Sequence, residues 1–200
     1  MTDVLPDSPS GSHLPAASPG AQEGRLTEPS LLARVLRVYK PHCRYLKSAT
    51  VRFKQGQSGS RHPSCIGEFE IPESCYIDST GHFNSVEFNI CYNQLAYYAI
   101  AKLIADGSTQ VFGDWTLDDF WSRQLPNILI INFRSTFRRA MRGQVFSGEL
   151  EIVNIAERER SETLPRLIFL DTVCRYWDAS GGYCHGEVKA AITDLPERPK

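Results

Sequence analysis

The sequence predicts an α+β fold, one long central helix wrapped by a curved antiparallel sheet, and three observations carry that prediction. First, the stretch from about Asn84 to Ala105 sets Val86, Ile90, Leu95, Tyr98, Ala99, Leu103 and Ile104 on most faces of a helix. A surface helix keeps one polar side, so this one is expected to be buried nearly all round. Second, strand-like runs flank it: Arg44–Phe53 and Ser64–Ile71 before, then Ile128–Phe137, Val145–Glu157, Leu164–Trp177 and Tyr183–Ile192 after,. Third, 200 residues with 42% hydrophobic content are enough for one core and too few for two full domains.

The elements follow in order. Residues 1–24 are rich in Pro, Ser, Gly and Ala, with Val4, Leu5 and Leu14 as their large aliphatics. Such a segment cannot bury enough surface to offset its ordering entropy, and a disordered leader is expected. The single domain then spans residues 25–195, and the Pro-rich end from Leu195 reads as frayed,. A short helix capped by Thr27 or Ser30 carries Leu31, Leu32, Val35, Leu36 and Tyr39 until Pro41 stops it,. Gly56–Ser60 reads as the turn between the first two strands, and Leu117–Gln124 as a second short helix with Asp118 and Asp119 near its positive end,. Asp178-Ala-Ser-Gly-Gly182 reads as a hairpin turn into the last strand,. One helix held by one curved sheet of this order is the hotdog arrangement.

Composition narrows function by exclusion. Twenty-two basic against 23 acidic residues give a formal net charge of −1, so no global field draws the chain to nucleic acid or an anionic membrane. Affinity for a charged partner must be local. No apolar run reaches the roughly 18 residues of a membrane span, and the N-terminus lacks the pattern of a secretory signal. A cytoplasmic location is the resulting expectation. Six scattered cysteines without a CxxC pair read as reduced, mostly buried thiols,. No metal is implied, because His42 and Cys43 are adjacent and cannot easily share one,.

Searches for GxGxxG, Walker, GxSxG and HExxH patterns fail. What remains is Tyr76-Ile-Asp-Ser-Thr-Gly-His-Phe-Asn-Ser-Val-Glu87, which gathers a phenol, an imidazole, an amide and a carboxylate about one helix start. Gly81 permits a tight bend. The helix-start N–H groups beyond it suit a developing oxyanion. His82 can act as acid or base near neutral pH. Asn84 and Glu87 stand at capping-box spacing, and that alone would account for both. Tyr76 and Tyr39 each have a plain packing reading beside a functional one. Asn93, an amide in an apolar helix, needs a ligand or a facing strand to satisfy it.

These residues, together with Leu31-Leu-Ala-Arg-Val-Leu36, Cys43-Arg-Tyr-Leu46, Cys91-Tyr-Asn-Gln-Leu-Ala-Tyr97, Trp115-Thr-Leu-Asp-Asp-Phe120, Phe137-Arg138 and the Trp177-Asp and Gly186-Glu187 ending, resemble the FcoT-type fatty acyl-CoA thioesterase family over roughly residues 28–193. The resemblance implies a homo-oligomeric hotdog enzyme without a covalent nucleophile or bound cofactor, acting on acyl groups held by phosphopantetheine. Its site set, carried onto this chain, is Tyr39, Tyr76 and Asn84, with His82 and Asn93 close by. The family includes thioesterase-like members from isonitrile-lipopeptide and β-amino-acid pathways that add glycine to a 2-enoyl-acyl carrier protein.

The expectation is therefore conjugate addition of glycine, giving a 3-[(carboxymethyl)amino]acyl thioester, with hydrolysis as a following step. His82, Glu87, Tyr76 and Asn84 are the catalytic candidates. Tyr39, Gly81, Asn93 and Arg138 are the binding candidates. Arg134, Arg138, Arg139 and Arg142 make a run suited to glycine's carboxylate, to CoA phosphates or to the acidic surface of an acyl carrier protein,. A simple acyl-CoA or acyl-carrier thioesterase is the alternative. A non-catalytic acyl-binding module is the second alternative, which the polar helix start fits poorly.

Overall fold

The computed structural model describes residues 28–55, 61–78, 81–159, 161 and 163–197. The expected leader and the Gly56–Ser60 turn lie outside them. Helix α1 (Pro29–Leu36) opens the described chain, followed by strands β1 (Leu46–Gln55) and β2 (Arg61–Glu70). Then come the long helix α2 (Ser85–Ala105), helix α3 (Leu117–Arg123) and strands β3 (Ile128–Arg139), β4 (Val145–Arg158), β5 (Leu167–Trp177) and β6 (Tyr183–Ile192). The six strands form one sheet in the order β1-β2-β4-β5-β6-β3, every neighbour antiparallel. This is the hotdog arrangement expected from the sequence.

Alternation places the sheet on the helix. Along β5, Ile168, Leu170, Thr172, Cys174 and Tyr176 are buried while the residues between them are half-exposed, as a strand with one covered face requires. α2 lies in the concavity, with fifteen of its 21 residues buried. Fully burying one large apolar side chain such as Phe88 contributes about 1.5–3 kcal/mol. The approach is close at Gly186 of β6, where a Cβ would stand 2.8 Å from the Phe88 ring.

Some boundaries differ from expectation, each for a local reason. Neither Thr27 nor Ser30 is seen to cap α1: Thr27 lies outside the described residues and Ser30 sits within the first turn. The N-cap is Glu28, with Pro29 supplying the pre-set helical φ,. α1 ends at Leu36, so Tyr39 falls in the following turn, its N–H donating to Leu36 O at 3.0 Å. Strand β3 runs two residues further than expected because a bulge between Phe137 and Arg139 keeps it paired with β6,. The β5–β6 hairpin closes on Asp178, whose Oδ1 accepts from Ser180 N and Gly182 N, both at 2.9 Å. Among the described residues, no helix is long and apolar enough to cross a membrane. All six cysteines are free and four are buried; burial pushes the Cys184 thiol up to about 12.

Candidate active site

The site is built on Phe83. Its ring enters an aromatic cluster, with centroids 4.8 Å from Phe146, 5.4 Å from Tyr176 and 6.1 Å from Phe88. Its N–H donates to Met141 O at 2.9 Å. With Phe83 anchored in the core, His82 stays exposed on one side and Asn84 opens α2 on the other. Gly81 precedes them at φ 74°, a left-handed conformation that suits glycine and strains any other residue,.

Asn84 and Glu87 form a complete capping box. Asn84 Oδ1 accepts from Val86 N at 3.0 Å and Glu87 N at 3.2 Å, and Asn84 N donates to Glu87 Oε2 at 3.3 Å. This corrects the expectation that first-turn N–H groups hold the substrate oxygen. Val86 and Glu87 donate to Asn84 Oδ1, and Phe88 N donates to Asn84 O, so the cap has already engaged them. The amide nitrogen of Asn84 is different. It is buried and has no hydrogen-bond partner among the described residues, as is true of Ser74 Oγ nearby. A buried donor left so costs about 1–3 kcal/mol unless something outside the chain receives it.

A cleft of about 60 Å³ lies beside this helix start, lined among others by Ser74, Gly81, His82, Glu87 and Arg142. Glu73 stands at it too. Glu87 is buried, at 6% exposure, within the first turn where the helix's positive end favours a carboxylate. A larger groove of about 700 Å³ lies around the opposite end of α2, between Arg61, Thr109 and Ile152. It contains none of the candidate residues, whereas Gly81, His82 and Glu87 line the small cleft together with the orphaned Ser74 hydroxyl, which makes the small cleft the better site.

The cleft therefore gathers Gly81, His82 and Glu87; Asn84 is bonded to Glu87 but is not itself part of the lining, and the other candidates stand apart. Tyr76 is half-exposed in the loop before the motif and does not line the cleft. Tyr39 packs near Tyr97 and Cys91; burial first, then those neighbours, pushes its phenol far above the ordinary range, so it remains a neutral donor. Asn93 lies nine residues beyond Asn84, roughly 14 Å along the helix, in a narrow apolar slot with Tyr92, Ala96 and Ile130. Its Nδ2 donates back to Asn89 O at 3.0 Å, within the same helix. Arg138 is exposed in the β3 bulge and is not part of the cleft, whereas Arg142 is.

Sequence reasoning also passed over Gln94. Its Oε1 accepts from Tyr45 N at 3.0 Å and Leu46 N at 2.9 Å, and its Nε2 donates to Cys43 O at 2.6 Å. The signal was available, since Gln94 interrupts an apolar helix just as Asn93 does. Ser74 carried no signal that the sequence alone could give. Among the described residues, no three His, Cys, Asp or Glu side chains gather as a metal site.

A helix-start site inside a curved antiparallel sheet, acting without a nucleophile elbow, defines a thioesterase-like class. Residues 34–192 match the FcoT-like thioesterase domain, and the chain belongs to that family. It is 50% identical over 171 residues to a (2E)-enoyl-ACP glycyltransferase from Streptomyces coeruleorubidus, covering 86% of this chain and 100% of that one. It is 38% identical over 167 residues to a (2E)-enoyl-ACP glycyltransferase from Mycobacterium tuberculosis, covering 83% and 87%. A thioesterase-superfamily protein from Shewanella oneidensis also aligns, at 14% identity and TM-score 0.37, over 64% of this chain and 76% of that one.

Proposed function

We propose that this chain adds glycine to the β-carbon of a (2E)-enoyl thioester carried by an acyl carrier protein. The observation that carries the reading is the cleft itself: a carboxylate, Glu87, and a guanidinium-bearing residue, Arg142, line one small space beside a buried, unpartnered amide donor on Asn84. A zwitterion needs both charges met, and a thioester oxygen that gains charge needs a donor already in place. The likeness to the glycyltransferases of Streptomyces and Mycobacterium supports the same substrate pair.

In this reading Arg142 receives glycine's carboxylate and Glu87 its ammonium. His82 takes a proton from the ammonium, freeing the nitrogen lone pair to bond to C3. The C2–C3 π electrons shift to the thioester oxygen, which Asn84 Nδ2 holds as an enolate. Return of the proton to C2 gives the 3-[(carboxymethyl)amino]acyl thioester. Tyr76 and Tyr39, both outside the cleft, serve the carrier arm and acyl group. No bound cofactor takes part, and hydrolysis of the product thioester is a later step at the same carbonyl.

We also infer a homo-oligomer in the cytoplasm. Strand β3 is a sheet edge with Leu129 and Ile131 exposed near its start; pairing that part of the edge with a second copy would cover them. Light scattering after size exclusion tests this, and a monomer at working concentration overturns it.

The chemistry is tested by mass spectrometry of an enoyl-loaded carrier protein incubated with glycine. The expected product is heavier by one glycine. Free acid formed at a rate indifferent to glycine would instead make the chain a simple thioesterase. No product at any chain length would favour an acyl-binding module.

A further inference from the structure

We infer that the outer face of the sheet at the end of β3 docks an acidic acyl carrier protein, with Arg134, Arg138 and Arg139 as its contact cations. The inference rests on the enoyl-carrier reading above for the identity of the partner, and on the surface itself for its position.

Several cations elsewhere on the sheet are paired. Lys54 meets Glu149 and Glu151, Arg175 meets Glu149 at 3.3 Å, Lys189 meets Asp171 at 3.2 Å, and Arg166 meets Glu157 at 2.6 Å. Arg134, Arg138 and Arg139 are exposed, and none of them stands at ion-pair distance from a carboxylate among the described residues.

Register fixes where two of them lie. Phe133 and Phe137 pack on Phe88 and so mark the inner face of β3. Arg134 lies opposite Glu187, and Arg139 opposite Tyr183, on the outer face. At about 3.3 Å per residue they are spaced over roughly 17 Å. Arg138 sits in the bulge between them.

The patch begins at the site. Two residues after Arg139, Met141 O accepts from Phe83 N, and the next residue, Arg142, lines the cleft. A carrier seated on these arginines would present its arm at the cleft mouth. The carboxylates near the patch are Glu187, and Asp178, which accepts from Arg142 N, Ser180 N and Gly182 N. In a chain of net charge −1, three exposed arginines within six residues, without an ion-pair partner among the described residues, give a local field that steers an acidic partner.

The test compares wild type with the double variant Arg134→Ser/Arg139→Ser. Binding of a stand-alone, phosphopantetheinylated acyl carrier protein is measured by calorimetry at two salt concentrations. The variant is expected to bind about fivefold more weakly at low salt, with a shallower salt dependence, at an unchanged melting temperature. Glu187→Gln is expected to tighten binding. With an enoyl carrier as substrate, KM rises and kcat holds. With the same enoyl group on a short pantetheine thioester, the variant matches wild type. Equal affinity of variant and wild type, or no binding by either, overturns the docking surface, and so does an equal loss on the pantetheine thioester. If wild type adds no glycine at all, the reaction reading fails, while the binding comparison still decides the surface.

Discussion

Gln94 and Asn84 carry the same chemical group ten residues apart on one helix, and the protein uses them differently. Gln94 engages both ends of its amide, holding the backbone of Cys43, Tyr45 and Leu46 against α2. Asn84 engages its oxygen in the cap and leaves its nitrogen buried without a partner. An amide with every atom satisfied marks architecture. One that is half satisfied keeps a donor in reserve, and the proposed reaction uses it.

The largest effect should come from Gln94. Gln94→Ala leaves two N–H donors and a carbonyl buried without partners, at a cost of about 3 kcal/mol or more, and chemical denaturation should show it. If stability barely moves, water replaces the amide and the contrast with Asn84 collapses.

Asn84→Asp sharpens the contrast further. The carboxylate keeps the capping acceptor, so stability should change by no more than about 0.5 kcal/mol. The donor is lost, so turnover should fall about 10²-fold. Asn84→Ala should lose both, with about 1 kcal/mol of stability gone as well. An Asn84→Asp enzyme with wild-type kcat would mean that the orphaned nitrogen has no part in the reaction.

His82→Ala removes a titratable group and no capping atom, so a loss of about 10²-fold in turnover at constant melting temperature is expected. Glu87→Gln preserves the cap's shape without its charge. It should raise KM for glycine more than it lowers kcat. Should both variants retain wild-type kinetics, the acid–base assignments fall.

The smallest effect belongs to the capping box of α3, a control with no site beside it. Thr116 Oγ1 donates to Asp119 Oδ2 at 2.6 Å and accepts from Asp119 N at 3.1 Å. The Thr116 hydroxyl, then the Thr116 N–H, hold the Asp119 carboxyl below its usual range. A carboxylate whose folded pKa is lowered contributes stability above its unfolded value of about 3.9, and loses that contribution as pH falls through the lower folded value. Thr116→Val should therefore move acid unfolding, followed by circular dichroism, to slightly higher pH while turnover at neutral pH is unchanged.

Most of the fold was legible because its signals are local. The apolar α2, the alternating strands and the Asp178–Gly182 hairpin are each determined by neighbours in sequence. The helix start was legible too, as Gly81-His82-Phe83-Asn84 and the Asn84–Glu87 spacing. What escaped was set by distant contacts. Arg142 reaches the cleft because Phe83 bonds the chain just beyond β3, and nothing in the arginine run separates Arg142 from Arg138. Gln94 and Asn93 look alike until β1 is placed beside one of them.

The anchoring of Phe83 also bears on how the enzyme should fail with heat. Because His82 and Asn84 flank a residue packed among Phe88, Phe146 and Tyr176, they share the cooperativity of the core and have no separate melting of their own. Thermal inactivation should coincide with the loss of near-ultraviolet aromatic signal, so a heat-resistant variant can be sought by improving the core far from the cleft.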